Sequence, residues 1–143
     1  MVEQNGRRRY ALADTAQQIV GGFLLAGPFV VTEEVWTLAA NMTWLHTLVT
    51  VGIVFAIGYG ALYGADDDRD PDREAQFGVF PVRFVSLMLV SFGSVFVLAM
   101  ALTAPTTFVE GDTIPEVART TIKAVSVGAI FSVVGAATAD SVF

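Results

Sequence analysis

The chain has 143 residues, 54% of them apolar and 11% aromatic, with a formal net charge of −6 and no cysteine. Its mean hydropathy of +0.62 is too high for an ordinary soluble domain. The lack of cysteine excludes disulfides, thiolate catalysis and cysteine-held metals, and a basic stretch confined to Arg7, Arg8 and Arg9 argues against nucleic acid as a partner.

The apolar residues gather in four blocks, at 19–40, 44–64, 85–104 and 117–139. Each is close to the roughly 20 residues that cross a bilayer's hydrocarbon core. The expected fold is an all-α membrane protein of four transmembrane helices, preceded by a cytoplasmic segment at 1–15. Arg7 to Arg9 ahead of the run 19–31 also resemble the start of a signal peptide. A counterpart of this block later in the chain argues that the segment stays.

The first block contains "AGPFVVTEEVW", residues 26–36. Pro28 removes a backbone donor and frees a carbonyl one turn earlier. Glu33 and Glu34 follow Thr32, and an ionised carboxylate deep in hydrocarbon costs about 2.5–3.5 kcal/mol on insertion scales. Trp36 and Trp44 fit an interfacial belt, so these acids belong near a membrane edge. A kink at Pro28 beside Thr32, Glu33 and Glu34 is a candidate ion or proton site, against the simpler reading of a polar helix end among headgroups.

The second block opens near His46, the only histidine, which reads first as an interfacial group. Gly52, Ala56, Gly60 and Gly64 then recur every fourth residue. In lipid, small residues let backbones approach closely and so supply helix packing. An acidic loop follows at about 65–78. Its alternating aspartates fail as a calcium loop, because Arg73 and Val79 stand where a glycine and a glutamate are required. No metal and no cofactor is implied.

The third block follows Arg83, which reads as an interfacial anchor, and ends in "APTTFVE" with Glu110. In the fourth, Arg119 and Lys123 lie one turn apart, and Gly128, Ser132 and Ala136 repeat the spacing of four. Cations in a low-dielectric setting pair with acids or snorkel outward. An ion-pair lock between Arg119 or Lys123 and Glu33, Glu34 or Glu110 is therefore expected. Asp14, Gln17, Gln18 and Asp140 read as markers of the cytoplasmic edge.

Two matches relate the halves. "VGIVF" at 51–55 returns as "VGAIF" at 127–131, an offset of 76, and "AGP" with Glu33 returns as "TAP" with Glu110, an offset of 77. These offsets suggest two tandem helical hairpins, at about 17–64 and 82–140, forming a parallel internal repeat about a pseudo-twofold axis. Arg7, Arg8, Arg9, Arg69, Arg73 and Arg83 fall on one side, and Arg119 and Lys123 on the other. The positive-inside rule then places both termini in the cytoplasm of a cell-membrane protein. The acid-rich, lysine-poor composition points to a halophilic source.

The pattern Pro28, Thr32, Glu34, Trp36 and the "APT" turn at 104–106 resemble a haloarchaeal and bacterial family of small integral membrane proteins of unknown function. The resemblance spans the chain from about Gln17 and implies that Glu34 rather than Glu33 is the motif acid. It carries no activity. No nucleophile–base pair or phosphate-binding motif is present, so no enzyme is expected. The expected function is a small cation- or proton-linked transporter or channel-like protein. The alternative is a non-catalytic membrane subunit whose glycine stripes bind a partner helix or a second copy of the chain.

Overall fold

A computed structural model describes residues 12–64, 76–77, 80–109 and 113–142. The described elements are helices apart from an antiparallel ribbon of two residues per strand, β1 (Gln76–Phe77) with β2 (Phe80–Pro81), in which Phe77 is opposite Phe80. The helices are α1 (Leu12–Val30), α2 (Glu33–Asn41), α3 (Trp44–Tyr59, continued by a π-helical turn Gly60–Gly64), α4 (Val82–Ala101), α5 (Ala104–Phe108) and α6 (Ile114–Val142). The order is a long helix, a short helix and a long helix, met twice.

The first apolar block is not the single straight helix expected. It is divided at Val31 and Thr32, and α2 turns 81° away from α1. Helix α2 continues to Asn41, so only Met42 and Thr43 separate it from α3. The break has local causes. The Thr32 hydroxyl donates to the Phe29 carbonyl at 2.9 Å, and the buried Trp36 Nε1 donates to the Val30 carbonyl at 2.9 Å. These bonds satisfy carbonyls at the end of α1 that have no donor a turn ahead. Pro28 lies two residues before that end, inside α1 and on an exposed face. Glu33 and Glu34 occupy the first turn of α2, where the helix dipole favours negative charge. Replacing Trp36 with phenylalanine is expected to cost about 1–3 kcal/mol by stranding the Val30 carbonyl, read as a lowered midpoint of thermal unfolding in micelles.

The other ends are closed as plainly. Thr43 caps α3, with the His46 amide donating to its hydroxyl and its own amide donating to His46 Nδ1 at 3.0 Å. The lone histidine is thus half of a capping box. Between α4 and α5, Thr103 adopts φ 56°, the one positive φ outside glycine among the described residues, and the chain turns there before Pro105.

Helices α1, α4 and α6 form the centre, with α1 and α4 antiparallel to α6. The two backbones of α1 and α6 meet at glycine. A Cβ on Gly21 would lie 2.1 Å from the Gly135 oxygen, and one on Gly135 would lie 2.2 Å from the Gly21 oxygen. Gly128 admits Val95 in the same way, and Ser132 and Ala136 are fully buried, so the small residues expected to pack on α6 do pack. Those of α3 do not. Gly52, Ala56 and Gly60 are exposed, with no atom within 4 Å of a Cβ built on either glycine, while Gly64 only ends the π-helical turn. The residues α3 turns inward are Thr47, Val54, Gly58 and Leu62, which fall on a face of their own. The spacing of four was right for α3, but the covered face is a different one. Its cover is also thin, because α3 rests mainly on α6 and touches α4 lightly.

The distribution of polarity is the reverse of that in a water-soluble bundle. Large apolar side chains such as Leu24, Leu48, Leu89 and Val97 are uncovered, while Gln18, Arg83, Ser91, Ser94, Ser132 and Asp140 are buried. An outward apolar surface of this extent suits lipid. Three helices are long and apolar enough to cross a membrane, at Trp44–Tyr63, Val82–Ala101 and Ile114–Asp140, and the bent pair α1 and α2 makes up to four.

Candidate functional site

Two groups of polar side chains stand out, one at each end of the bundle. The first is assembled from the starts of α1 and α4 and the end of α6. Arg83 Nη1 donates to both oxygens of Asp140, at 2.7 and 2.9 Å, and Nη2 donates to Asp14 Oδ2 at 3.2 Å. Gln18 Nε2 donates to Asp140 Oδ2 at 3.0 Å, and Ser86 Oγ donates to Gln18 Oε1 at 2.7 Å. Arg83 and Gln18 are 0% exposed and Asp140 1%. A guanidinium and a carboxylate held this far from water persist only when each is paired and hydrogen-bonded.

Arg83, read as an interfacial anchor, is a buried ion-pair partner, and Asp14, Gln18 and Asp140, read as markers of one edge, are joined to it at one end of the bundle. One charged residue on each of three helices converges into one ion-pair cluster. The signal was present in the sequence: single charges stand at the corresponding ends of three apolar blocks. Charges in that position prefer each other to the headgroups when antiparallel helices bring them level.

About two turns further along the bundle, Ser94 and Ser132 share a hydrogen bond at 2.8 Å, and Ser132 Oγ donates to the Gly22 carbonyl at 3.2 Å. Gly22 leaves room for this pair, since a Cβ there would crowd both hydroxyls at 3.0 and 3.2 Å. Beyond this layer the centre is apolar, with Ala26, Val95, Ala99 and Val125 in one cluster.

The second group, at the opposite end of the bundle, lines a pocket of about 400 Å³ between α2, α5 and α6. Glu33, Glu116, Arg119 and Lys123 all line it, with Trp36 and Phe108 as its aromatic wall, their rings stacked 6.1 Å apart. Lys123 Nζ donates to the Met42 carbonyl at 2.7 Å and lies 4.8 Å from the centre of the Trp44 ring. The expected lock is not made within the described residues: neither Arg119 nor Lys123 forms a salt bridge with a described acid. The α2–α3 turn offers Lys123 a carbonyl and a ring face instead. Glu34 is exposed on α2 and is not part of the pocket lining, whereas Glu33 is. Pro28 and Thr32 serve the end of α1 and do not line the pocket, and Glu110 lies outside the described residues, as do Arg7 to Arg9 and the acidic loop. A larger crevice of about 830 Å³ between α3, α4 and α6 is apolar. The Thr121 and Ser126 hydroxyls that border it donate back to their own helix, so it offers no polar chemistry.

An apolar exterior, a buried ion-pair cluster joining three helices and spans of bilayer length define a multi-helix integral membrane protein. No curated protein and no solved structure matches the chain. A family model described as "Putative integral membrane protein (DUF2391)" matches residues 2–141, and the chain belongs to that family.

Proposed function

We propose that the protein is a small proton- or cation-linked transporter of the cell membrane, crossing it four times as two tandem hairpins with both termini in the cytoplasm. The observation that carries this reading is the cluster of buried Arg83 and Asp140 with half-buried Asp14 inside an apolar exterior. Ionisable groups within spanning helices are costly and tend to mark ion or proton routes. Its position also fits. Polar groups run from the cluster through Ser94 and Ser132, the apolar layer of Ala26, Val95, Ala99 and Val125 interrupts them, and the outer pocket resumes them. That is the arrangement of a route closed at its centre. The twice-met order of long, short and long helices supports the duplicated hairpin.

The test is flux. Proteoliposomes of the wild type are expected to pass protons or a monovalent cation, with Asp140→Asn and Glu33→Gln each lowering the rate at least about tenfold and Glu34→Gln lowering it less. Absence of flux with every ion, together with a tightly co-purifying membrane protein, would favour the second reading, a scaffold. What supports that alternative is the uncovered strip of Gly52, Ala56 and Gly60 on α3, where a partner helix or a second copy could approach closely.

A further inference from the structure

We propose that the outer pocket binds a small zwitterion, with a carboxylate or phosphate oxygen taken by Lys123 and Arg119 and an ammonium taken by Glu33 and Glu116. This deepens the transport reading by naming a substrate class. The argument begins at Lys123. Its side chain is buried, at 7% exposure, and an ammonium has three donors to satisfy. One goes to the Met42 carbonyl and the charge faces the Trp44 ring, yet no described carboxylate pairs with it. A buried cation left without an anion is costly, and an oxyanion entering the pocket would supply one.

Arg119 follows the same line of α6 one turn away. Among the described residues it too has no acid partner, although Glu33 and Glu116 line the same pocket of about 400 Å³. The Glu116 carboxylate is held by the Thr113 hydroxyl at 2.8 Å. Opposite charges that share a pocket of ligand size without pairing are free to pair with something else. A plain anion would meet the two glutamates, and a plain cation would meet Arg119 and Lys123. A ligand with both signs avoids each penalty, which is how like-charge repulsion produces specificity. The charge could arrive on a free amino acid or on the headgroup of an aminophospholipid, since α2 lies across the end of α1 where headgroups would be.

The chain's two tryptophans both border the site, Trp36 in the pocket wall and Trp44 beneath the Lys123 ammonium. Intrinsic fluorescence of the purified full chain in lipid-free micelles is therefore the readout, at constant ionic strength. Titration with γ-aminobutyrate is expected to give a saturable change, with butyrate and n-butylamine, which each lack one charge, weaker by about tenfold or more. Arg119→Gln and Glu116→Gln alter exposed residues and leave the buried packing intact. Each is expected to weaken γ-aminobutyrate by about tenfold, while Glu116→Gln improves butyrate. Competition by phosphatidylethanolamine nanodiscs but not by phosphatidylglycerol nanodiscs would assign the same chemistry to a lipid headgroup. No saturable change in micelles or phosphatidylglycerol nanodiscs would overturn the proposal, and so would equal binding of butyrate or indifference to both substitutions. Binding without flux would defeat the transport reading and leave the site standing; flux without binding would do the opposite.

Discussion

Replacing Asp140 with alanine is expected to cost about 3–5 kcal/mol of unfolding free energy, the penalty for leaving a buried charge without its partner. Arg83 is wholly buried and reaches both oxygens of Asp140, and its second contact, to Asp14, is longer at 3.2 Å and partly open to solvent. In the single variant the guanidinium loses its two contacts to Asp140, and Gln18 loses the acceptor for its amide. Denaturation in micelles, followed by circular dichroism, measures the loss. The more telling variant is the double one, Arg83→Met with Asp140→Leu. Well-packed apolar groups often replace a buried ion pair at little cost or with a gain, so the double variant should recover most of the stability. Additive losses in the cycle would mean that the two residues do not act as a pair. Asp140→Asn, which keeps the shape and one acceptor, should fall between.

Gly21→Ala and Gly135→Ala are the second large effect. Each puts a methyl group where the opposite backbone oxygen already stands, at 2.1 and 2.2 Å. Neither oxygen can rotate away, since each belongs to a helix. The helices must separate, and overpacking of this kind costs about 1–3 kcal/mol, sometimes more. Separation also pulls Gln18 from Asp140 one turn away, so the loss should lie at the upper end. Gly52→Ala and Gly60→Ala are the controls. Their added methyl groups meet no described atom, so what remains is the helix-propensity gain of alanine over glycine, up to about 1 kcal/mol. Equal losses at all four positions would mean that close approach at the α1–α6 crossing does not set the effect.

The class of protein was legible in the sequence because it depends on block length and composition, which a bilayer reads directly. The break at Val31 was less legible. Pro28 drew attention to itself, but the turn is made three residues later, by a threonine hydroxyl and an indole that reaches back six residues to Val30. The α3 stripe is a related case. Regular spacing identifies a face of a helix but not what covers it, and here the covered face carries Val54, Gly58 and Leu62. Arg83 and Asp140 are 57 residues apart, and no local pattern links them. Their meeting follows only once α4 and α6 are known to be antiparallel neighbours. At the outer site, Glu33, Arg119 and Lys123 were singled out and do line one pocket, but the distances between them come from the tilt of α2, which the sequence does not state.

Helix α6, the last of the described helices in chain order, touches every other one, and a bond that secures it joins residues 122 positions apart. A nascent chain that has threaded only the segments before α6 into the bilayer holds Gln18 and Arg83 without Asp140 and leaves the glycine seam of α1 unfilled. Such an intermediate has inserted but not assembled, and its exposed polar groups are open to insertases, chaperones and proteases until α6 arrives. Assembly of this bundle therefore waits on α6.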